Sequence, residues 1–163
     1  MATHHLRPLI TAGTMLALLT GCGLGEALND GDTKERHADT GAEGKESGLL
    51  ADWIPDDASD VSVMQRTTGS ERLLTFTFEG DLPPECVAIA TPGEPTDDEL
   101  EASYATDPRT ADTPLSRWSR TPTLEADWWP EGQLAETTHL CGRWWVSNDE
   151  DTVYGFGAEE SGG

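Results

Sequence analysis

Apart from carboxylates, the sequence offers few groups that could act in catalysis. From residue 49 onward there is one imidazole, His139, two residues before Cys141, and no G-x-S-x-G motif accompanies it. A histidine in this setting usually makes a structural hydrogen bond, and we expect that role here. Acidic residues are so numerous that sequence spacing cannot single out a glycosidase-like pair, which is defined by its separation in space.

Metal and cofactor motifs are equally scarce. The densest acidic turn is Asn148-Asp149-Glu150-Asp151, whose oxygens are of the type that binds calcium weakly. A charged run at a hairpin tip is more often a solvated loop. The sequence contains no H-E-x-x-H, EF-hand or phosphate-binding glycine motif. We therefore expect no metal site and no cofactor.

Aromatic residues are the more promising binding groups. In an adjacent pair on a strand, one ring points towards the core and the other away from it. An outward ring could stack on a sugar or, among carboxylates, hold a cationic or quaternary ammonium group. The alternative is that these rings cover the second sheet face or pack under the proline-rich loop. Of the six tryptophans, five are candidate ligand-binding residues: Trp118, Trp128, Trp129, Trp144 and Trp145.

The N-terminus predicts export and a lipid anchor. Residues 1–21 contain Arg7 and then an apolar run shorter than the roughly 20 residues that span a bilayer, the layout of a signal peptide. Leu19-Thr20-Gly21-Cys22 resembles the lipobox of bacterial lipoproteins. The resemblance implies that Cys22 carries a diacylglyceryl group and, after cleavage, anchors the protein to the extracytoplasmic face of the cell membrane. The alternative is an ordinary signal peptide followed by a chance cysteine.

The predicted extracytoplasmic location determines the expected oxidation state of the remaining cysteines. With Cys22 modified, Cys86 and Cys141 are an even pair in an oxidising environment, and we predict that they form a disulfide. A zinc site is the alternative, but two thiols without a histidine at ligand spacing are a poor ligand set.

The charge limits the partners. The net charge is -21, and no lysine follows Lys45. Such a chain repels nucleic acid, so we expect no nucleic-acid partner. Solubility is the favoured explanation of the acidity, with a halophilic source as a second one.

Composition divides the chain into four parts. Residues 1–21 are the signal peptide, and residues 22–48, rich in glycine and charge, are predicted to be a flexible tether. Residues 49–158 are predicted to form one domain, and residues 159–163 a loose tail. The segments Leu49-Leu50-Ala51-Asp52-Trp53-Ile54-Pro55 and Leu124-Glu125-Ala126-Asp127-Trp128-Trp129-Pro130 match at five of seven positions, which suggests either an internal duplication or chance.

Within the domain the pattern predicts two hairpins. Alternation over residues 61–63 and 74–78 indicates the first, a short strand begins at Cys86, and residues 140–146 and 152–156 indicate the second. In an unbroken strand, Cys141, Arg143 and Trp145 would share one face, opposite Trp144 and Val146.

One helix is predicted between the hairpins. Thr96 and Glu99 fit a capping box, Leu100 and Tyr104 would line one side, and Pro108 forbids continuation. The expected fold class is α+β: a small antiparallel sheet built from two hairpins, with one short helix and one disulfide.

The sequence favours a non-catalytic binding or envelope-accessory role. Its expected partners are the membrane through the lipid anchor, and an envelope protein or a cationic or sugar ligand. The alternative is an envelope enzyme that acts on cell-wall or sugar substrates through carboxylates. The Trp53-Ile54-Pro55 opening and the CGRWWV stretch at residues 141–146 are similar to small lipoproteins of Gram-positive actinobacteria, a resemblance that implies no activity.

Overall fold

One antiparallel sheet organises residues 32–161, the part of the chain that the computed structural model describes. Its strands are β1 (Thr33–Thr40), β2 (Ser59–Arg66), β3 (Arg72–Thr77), β4 (Cys86–Ala88), β5 (His139–Cys141), β6 (Trp144–Asp149) and β7 (Thr152–Gly157). Their order across the sheet is β1-β2-β3-β7-β6-β5-β4. The C-terminal hairpin β6–β7 therefore lies in the middle of the sheet, beside β3.

Both faces of this sheet bear a hydrophobic core. The first core joins inward residues of the strands, such as Val63, Phe76 and Val153, to Trp53 and Ile54 of the segment before β2. The second core lies on the opposite face, under helix α2 (Asp97–Tyr104) and the long connection from α2 to β5; its buried members are Leu73, Leu100, Tyr104, Trp118, Leu124, Leu140, Trp145, Phe156 and Ala158. The alternation of side chains along each strand thus serves two cores rather than one.

The predicted antiparallel sheet and the predicted disulfide are confirmed. The sheet is antiparallel, β2–β3 and β6–β7 are hairpins, and Cys86 and Cys141 form a disulfide on directly paired strand positions. Helix α2 begins at the predicted capping box, in which Thr96 and Glu99 bond reciprocally. However, the two hairpins account for only four of the seven strands. With so little helix, the described domain is mostly β and not α+β as predicted.

The predicted tether was too long. From residue 33 onward the chain forms β1, which pairs with β2, and then helix α1 (Gly41–Glu46). The glycines in this stretch are required by close packing: a Cβ on Gly41 would clash with the carbonyl oxygen of Pro55, and one on Gly44 would clash with the Leu50 side chain. Composition alone cannot separate such glycines from those of a linker.

The predicted loose tail is also ordered as far as residue 161. The Glu159 carboxylate accepts hydrogen bonds from the amides of Ser70 and Glu71 in the β2–β3 turn. Glu160 forms an isolated bridge with Trp118, and the Ser161 amide donates to the Arg117 carbonyl. The folded unit therefore extends beyond the predicted 49–158 at both ends.

Gly142 corrects the predicted face of Cys141. Its φ of 59° reverses the chain, so that residues 140–146 form two strands, and Cys141 pairs with Trp144. Cys141 and Trp144 belong to the first core and Trp145 to the second. The predicted shared face of Cys141, Arg143 and Trp145 is therefore wrong, whereas Trp144 and Val146 do share one.

The two similar tryptophan segments do not form equivalent structures. Trp53 is buried in the first core, and its indole N–H has no partner within residues 32–161. Trp128 is half-buried at the edge of the second core, and its N–H donates to Glu35. The internal-duplication hypothesis is therefore dropped.

The signal peptide (1–21), Cys22 and the first part of the predicted tether lie outside the described residues, as do residues 162–163. Within residues 32–161, no helix is long and apolar enough to cross a membrane.

Candidate functional site

Three of the five candidate tryptophans are core residues. Trp118 is 6% exposed and Trp145 is 5% exposed, both in the second core, where the Trp145 Nε1 donates to the Tyr104 Oη at 3.1 Å. Trp144 is 5% exposed in the first core. The pair Trp144-Trp145 does alternate as predicted. Because both sheet faces are covered at this position, neither ring is the exposed outward ring that the alternation predicted. The small accessible part of Trp144 lines a groove beside the first core.

The other two candidates meet a third aromatic residue at the surface. Trp128 and Trp129 are half-buried, with ring centroids 6.5 Å apart and an interplanar angle of 72°. Trp129 contacts Tyr154 of β7 at 6.0 Å and 88°. We call Trp128, Trp129 and Tyr154 the aromatic ridge. At these spacings the edge of one ring covers a face of the next, so the ridge is packed and does not form an open cage.

Hydrogen bonds at both ends fix the loop that carries the ridge. The Trp128 Nε1 donates to the Glu35 carboxylate of β1 at 2.6 Å, and the Trp129 amide donates to the Ala126 carbonyl at 2.9 Å. Upstream, the Leu124 amide donates to the buried Glu71 carboxylate at 3.0 Å. The two indoles are thus held on an anchored loop.

A row of polar side chains crosses the sheet beside the ridge. His37, Ser62, Thr75 and Tyr154 occupy paired positions on β1, β2, β3 and β7, and we call them the polar row. All four are at least partly exposed, and the His37 Nδ1 lies 3.0 Å from the Ser62 Oγ.

The next row on the same sheet face is apolar and covered. Its members at paired positions are Met64, Leu73, Phe156, Trp145 and Leu140. The second core lies over this row. The ridge therefore marks the border between a covered and an open half of one sheet face.

Ionisable groups at this border include two side chains of β1. The Glu35 side chain is 40% exposed and the His37 side chain 65% exposed, and the Glu35 Oε1 lies 3.9 Å from the His37 Nε2. The surface thus combines ring faces, hydroxyl groups, an imidazole and one carboxylate already bonded to an indole. Such a set can stack on a ligand ring and exchange hydrogen bonds with its polar groups.

His139 has the environment of a structural residue. Its Nδ1 lies 2.9 Å from the Thr138 Oγ1, and burial lowers its pKa below the usual histidine range. Cys141, the nearby thiol of the sequence, is bonded to Cys86.

The acidic turn between β6 and β7 is a tight hairpin end. Asp149 pairs with Thr152, which leaves a two-residue loop in which Glu150 has a φ of 53°. Within residues 32–161, no three histidine, cysteine or acidic side chains are grouped so as to hold a metal ion.

Sequence reasoning missed the partners of the two exposed indoles. Glu35 and His37 were assigned to the tether, so β1 was not considered as part of a surface. Tyr154 had a usable signal, because it lies on the predicted strand 152–156 on the same face as Phe156. Placing Tyr154 beside Thr75 requires the order of the strands in the sheet, which the sequence pattern does not give.

Comparison with protein-family models, with curated proteins and with solved structures gives no match to this chain.

Proposed function

We propose that this protein is a lipid-anchored binding domain on the extracytoplasmic face of the cell membrane, and that its aromatic ridge and polar row bind a saccharide of the cell envelope. The observation that carries the proposal is the position of Trp128, Trp129 and Tyr154. They border the open, polar half of a sheet face whose other half is covered by the second core.

Two features favour a saccharide. Sugar rings present apolar C–H faces, which stack on half-exposed indoles, and hydroxyl groups, which pair with groups such as those of Ser62 and Thr75. The packed, perpendicular contacts of the ridge leave no open space between its rings. A quaternary ammonium group, which needs such a space, is therefore the less suitable ligand.

The hydrogen bonds of Glu71, the buried carboxylate, favour a binding role for the protein over a catalytic one. Glu71 accepts hydrogen bonds from the side chain and backbone of Thr123, from the Leu124 amide and from Arg66. All these partners are residues of the domain itself. The Glu71 carboxylate therefore holds the loop at residues 123–124 in place and is not exposed to a ligand.

The lipid anchor rests on the Leu19-Thr20-Gly21-Cys22 pattern, and one substitution tests it. Cells expressing the protein are labelled with a radioactive fatty acid and fractionated. The native chain should carry label and sediment with membranes, whereas Cys22→Ser should carry no label and appear in the medium. A labelled or membrane-bound Cys22→Ser protein would contradict anchoring at this residue.

Ligand binding is tested with soluble polysaccharide fragments released from bacterial cell walls, followed by tryptophan fluorescence. We expect saturable binding that weakens about tenfold, or ~1.4 kcal/mol, in Trp128→Ala. Thr75→Val, which removes one hydroxyl from the polar row, should weaken it less. The matched control is Val87→Ala on β4, because Val87 is an exposed apolar residue on the far edge of the sheet.

The outcomes separate a binding surface from a structural one. If Trp128→Ala keeps its thermal midpoint and binds as the native chain does, the ridge is not the saccharide site. Equal weakening in Val87→Ala would show that the fragments bind nonspecifically. Binding of polylysine at the ridge, with no binding of the fragments, would replace the saccharide by a cationic ligand.

A further inference from the structure

A groove lies at the first core, beside the disulfide. This groove has a volume of about 370 Å³. Its lining includes Trp53, Trp144, Cys141, Arg109 and three acidic residues, Asp52, Glu85 and Asp107. The two indoles and the disulfide supply apolar surface, and the other four residues supply charge of both signs. The Asp107 carboxylate already accepts a hydrogen bond from the Arg109 backbone amide at 2.9 Å. Its tryptophans belong to the first core and the ridge packs on the second, so the two sites are independent.

The apolar wall of the groove is built by close packing on β7. A Cβ on Gly157 would lie 3.2 Å from the Trp144 ring, and one on Gly155 would lie 3.3 Å from it, so these glycines make room for the indole. Trp53 meets Trp144 at 6.1 Å and 64°. The Arg143 guanidinium carbon lies 5.5 Å from the centroid of a Trp144 ring. These contacts hold the indoles in fixed positions before any ligand enters.

Arg109 differs from the other arginines of the domain because its guanidinium group has no bonding partner within residues 32–161. From Arg66 onward the sequence has six arginines; the guanidinium groups of Arg66, Arg72, Arg117, Arg120 and Arg143 bond to carboxylates or carbonyls. The exposed guanidinium of Arg109 makes no such bond within residues 32–161. In a chain with 31 acidic residues, an unpaired arginine at a groove suits an anionic ligand group.

Two further guanidinium groups, those of Arg143 and Arg72, lie close enough to Arg109 to interact with it. Burial lowers the pKa of Arg143 to about 10; Asp107 raises it, and the positive charges of Arg72 and Arg109 lower it further. Three guanidinium groups therefore interact at this end of the sheet. Their positive charges favour an anionic group beside Arg109, and the negative charge of Asp107 acts in the opposite direction.

The groove also presents free negative charge. Asp52 and Glu85 line it, both are exposed, and within residues 32–161 neither side chain forms an ion pair or hydrogen bond. A purely anionic ligand would be repelled by them. A ligand with an ammonium group close to its anionic group would complement both signs.

We propose that this groove binds a zwitterionic small molecule with an apolar side chain, of the class of α-amino acids and short peptides. The carboxylate pairs with Arg109, the ammonium group faces Asp52 and Glu85, and the side chain lies against Trp53 and Trp144.

The test uses L-phenylalanine and phenylalanyl-phenylalanine as probes and the ¹⁵N-labelled full chain as receptor. The indole N–H signals of Trp53 and Trp144 report on the groove, and that of Trp128 reports on the ridge. We expect saturable shifts of the first two signals below about 10 mM of either probe, a weak but measurable affinity. Phenylacetate lacks the ammonium group and phenethylamine lacks the carboxylate, so each should bind at least about tenfold more weakly.

Arg109→Gln provides the decisive comparison, with Arg120→Gln as the matched control because Arg120 pairs with Asp97 on the surface. Arg109→Gln should lose at least about tenfold in probe affinity, and Arg120→Gln should bind as the native chain does. The proposal is overturned if neither zwitterion shifts the Trp53 and Trp144 signals, if the single-charge analogues bind equally well, or if Arg109→Gln binds normally. Failure here leaves the Trp128 signal and the saccharide proposal unaffected.

Discussion

Glu71 shows how a single side chain fixes the candidate site. It is 1% exposed, and it is the only acidic residue buried within residues 32–161. A buried carboxylate is costly unless its oxygens are bonded. Here they accept from Arg66 and from residues 123–124, so the β2–β3 turn is tied to the loop that leads to Trp128.

Replacing this carboxylate should destabilise the folded domain. Glu71→Gln keeps the shape but turns an amide NH₂ group towards backbone N–H donors, and we expect a loss of about 3 kcal/mol in the free energy of unfolding at pH 7. Urea denaturation measures it. Glu79→Gln, at an exposed position after β3, is the control and should change stability by no more than about 0.5 kcal/mol.

The effect should depend on pH. Burial raises the pKa of Glu71, but the hydrogen bonds from Thr123, Leu124 and Arg66 outweigh it and lower the pKa below its ordinary value. Protons therefore bind more readily to the unfolded chain. The stabilisation is complete above about pH 4.3 and is lost as the pH falls towards the folded-state pKa. A stability difference between the native chain and Glu71→Gln that stays constant from pH 7 to about pH 3 would contradict this account.

At the scale of elements, β4 is the least supported strand. It has three residues, it forms an edge of the sheet, and within the sheet it pairs with β5. The disulfide joins β4 to β5 between directly paired positions, across a sequence separation of 55 residues. The crosslink therefore both holds the edge strand and closes a long loop.

Removing the crosslink tests its contribution. In the chain-entropy model, a loop of this length predicts a loss of about 4 kcal/mol in Cys86→Ala/Cys141→Ala. Urea unfolding measures the loss, and hydrogen exchange should show the largest increase in β4 and β5. The native chain unfolded in reductant should reproduce the variant. An unchanged unfolding midpoint would mean that the β4–β5 pairing is sufficient without the bond.

The same elements show which parts of the fold can be predicted from sequence. The hairpins and α2 have local signals: alternation over β3, and a capping box at Thr96. Strand β1 has none, because this edge strand buries only Ala38 and is held by backbone pairing with β2.

Only part of the candidate site could be predicted from the sequence, because the rest depends on contacts between residues distant in sequence. Composition drew attention to Trp128 and Trp129, and alternation gave the opposed directions of Trp144 and Trp145. Which direction leads to solvent depends on what covers each sheet face, and that is decided by residues distant in sequence. The polar row depends on strand order in the same way, since β7 lies beside β3 and not beside β4.

At the scale of the whole molecule, unbalanced charge is the dominant electrostatic feature. The chain has 31 acidic residues against 10 lysines and arginines. Most of the arginine and lysine ion pairs are at least partly exposed, and the best-buried one joins Arg66 to Glu71. Exposed ion pairs contribute little to stability, so repulsion between carboxylates remains largely uncompensated at low ionic strength.

Screening should therefore stabilise this domain. The Debye length falls from about 30 Å at 0.01 M salt to about 3 Å at 1 M, which weakens repulsion between exposed carboxylates. We expect the thermal midpoint to rise by about 5 °C between these limits at pH 7, roughly 1–2 kcal/mol for a domain of this size. Sodium chloride and potassium chloride should act equally if screening is the cause, and most of the rise should occur below about 0.3 M, where the Debye length changes most. A midpoint that stays constant or falls with salt would show that the acidic surface is arranged so that its charges do not oppose folding.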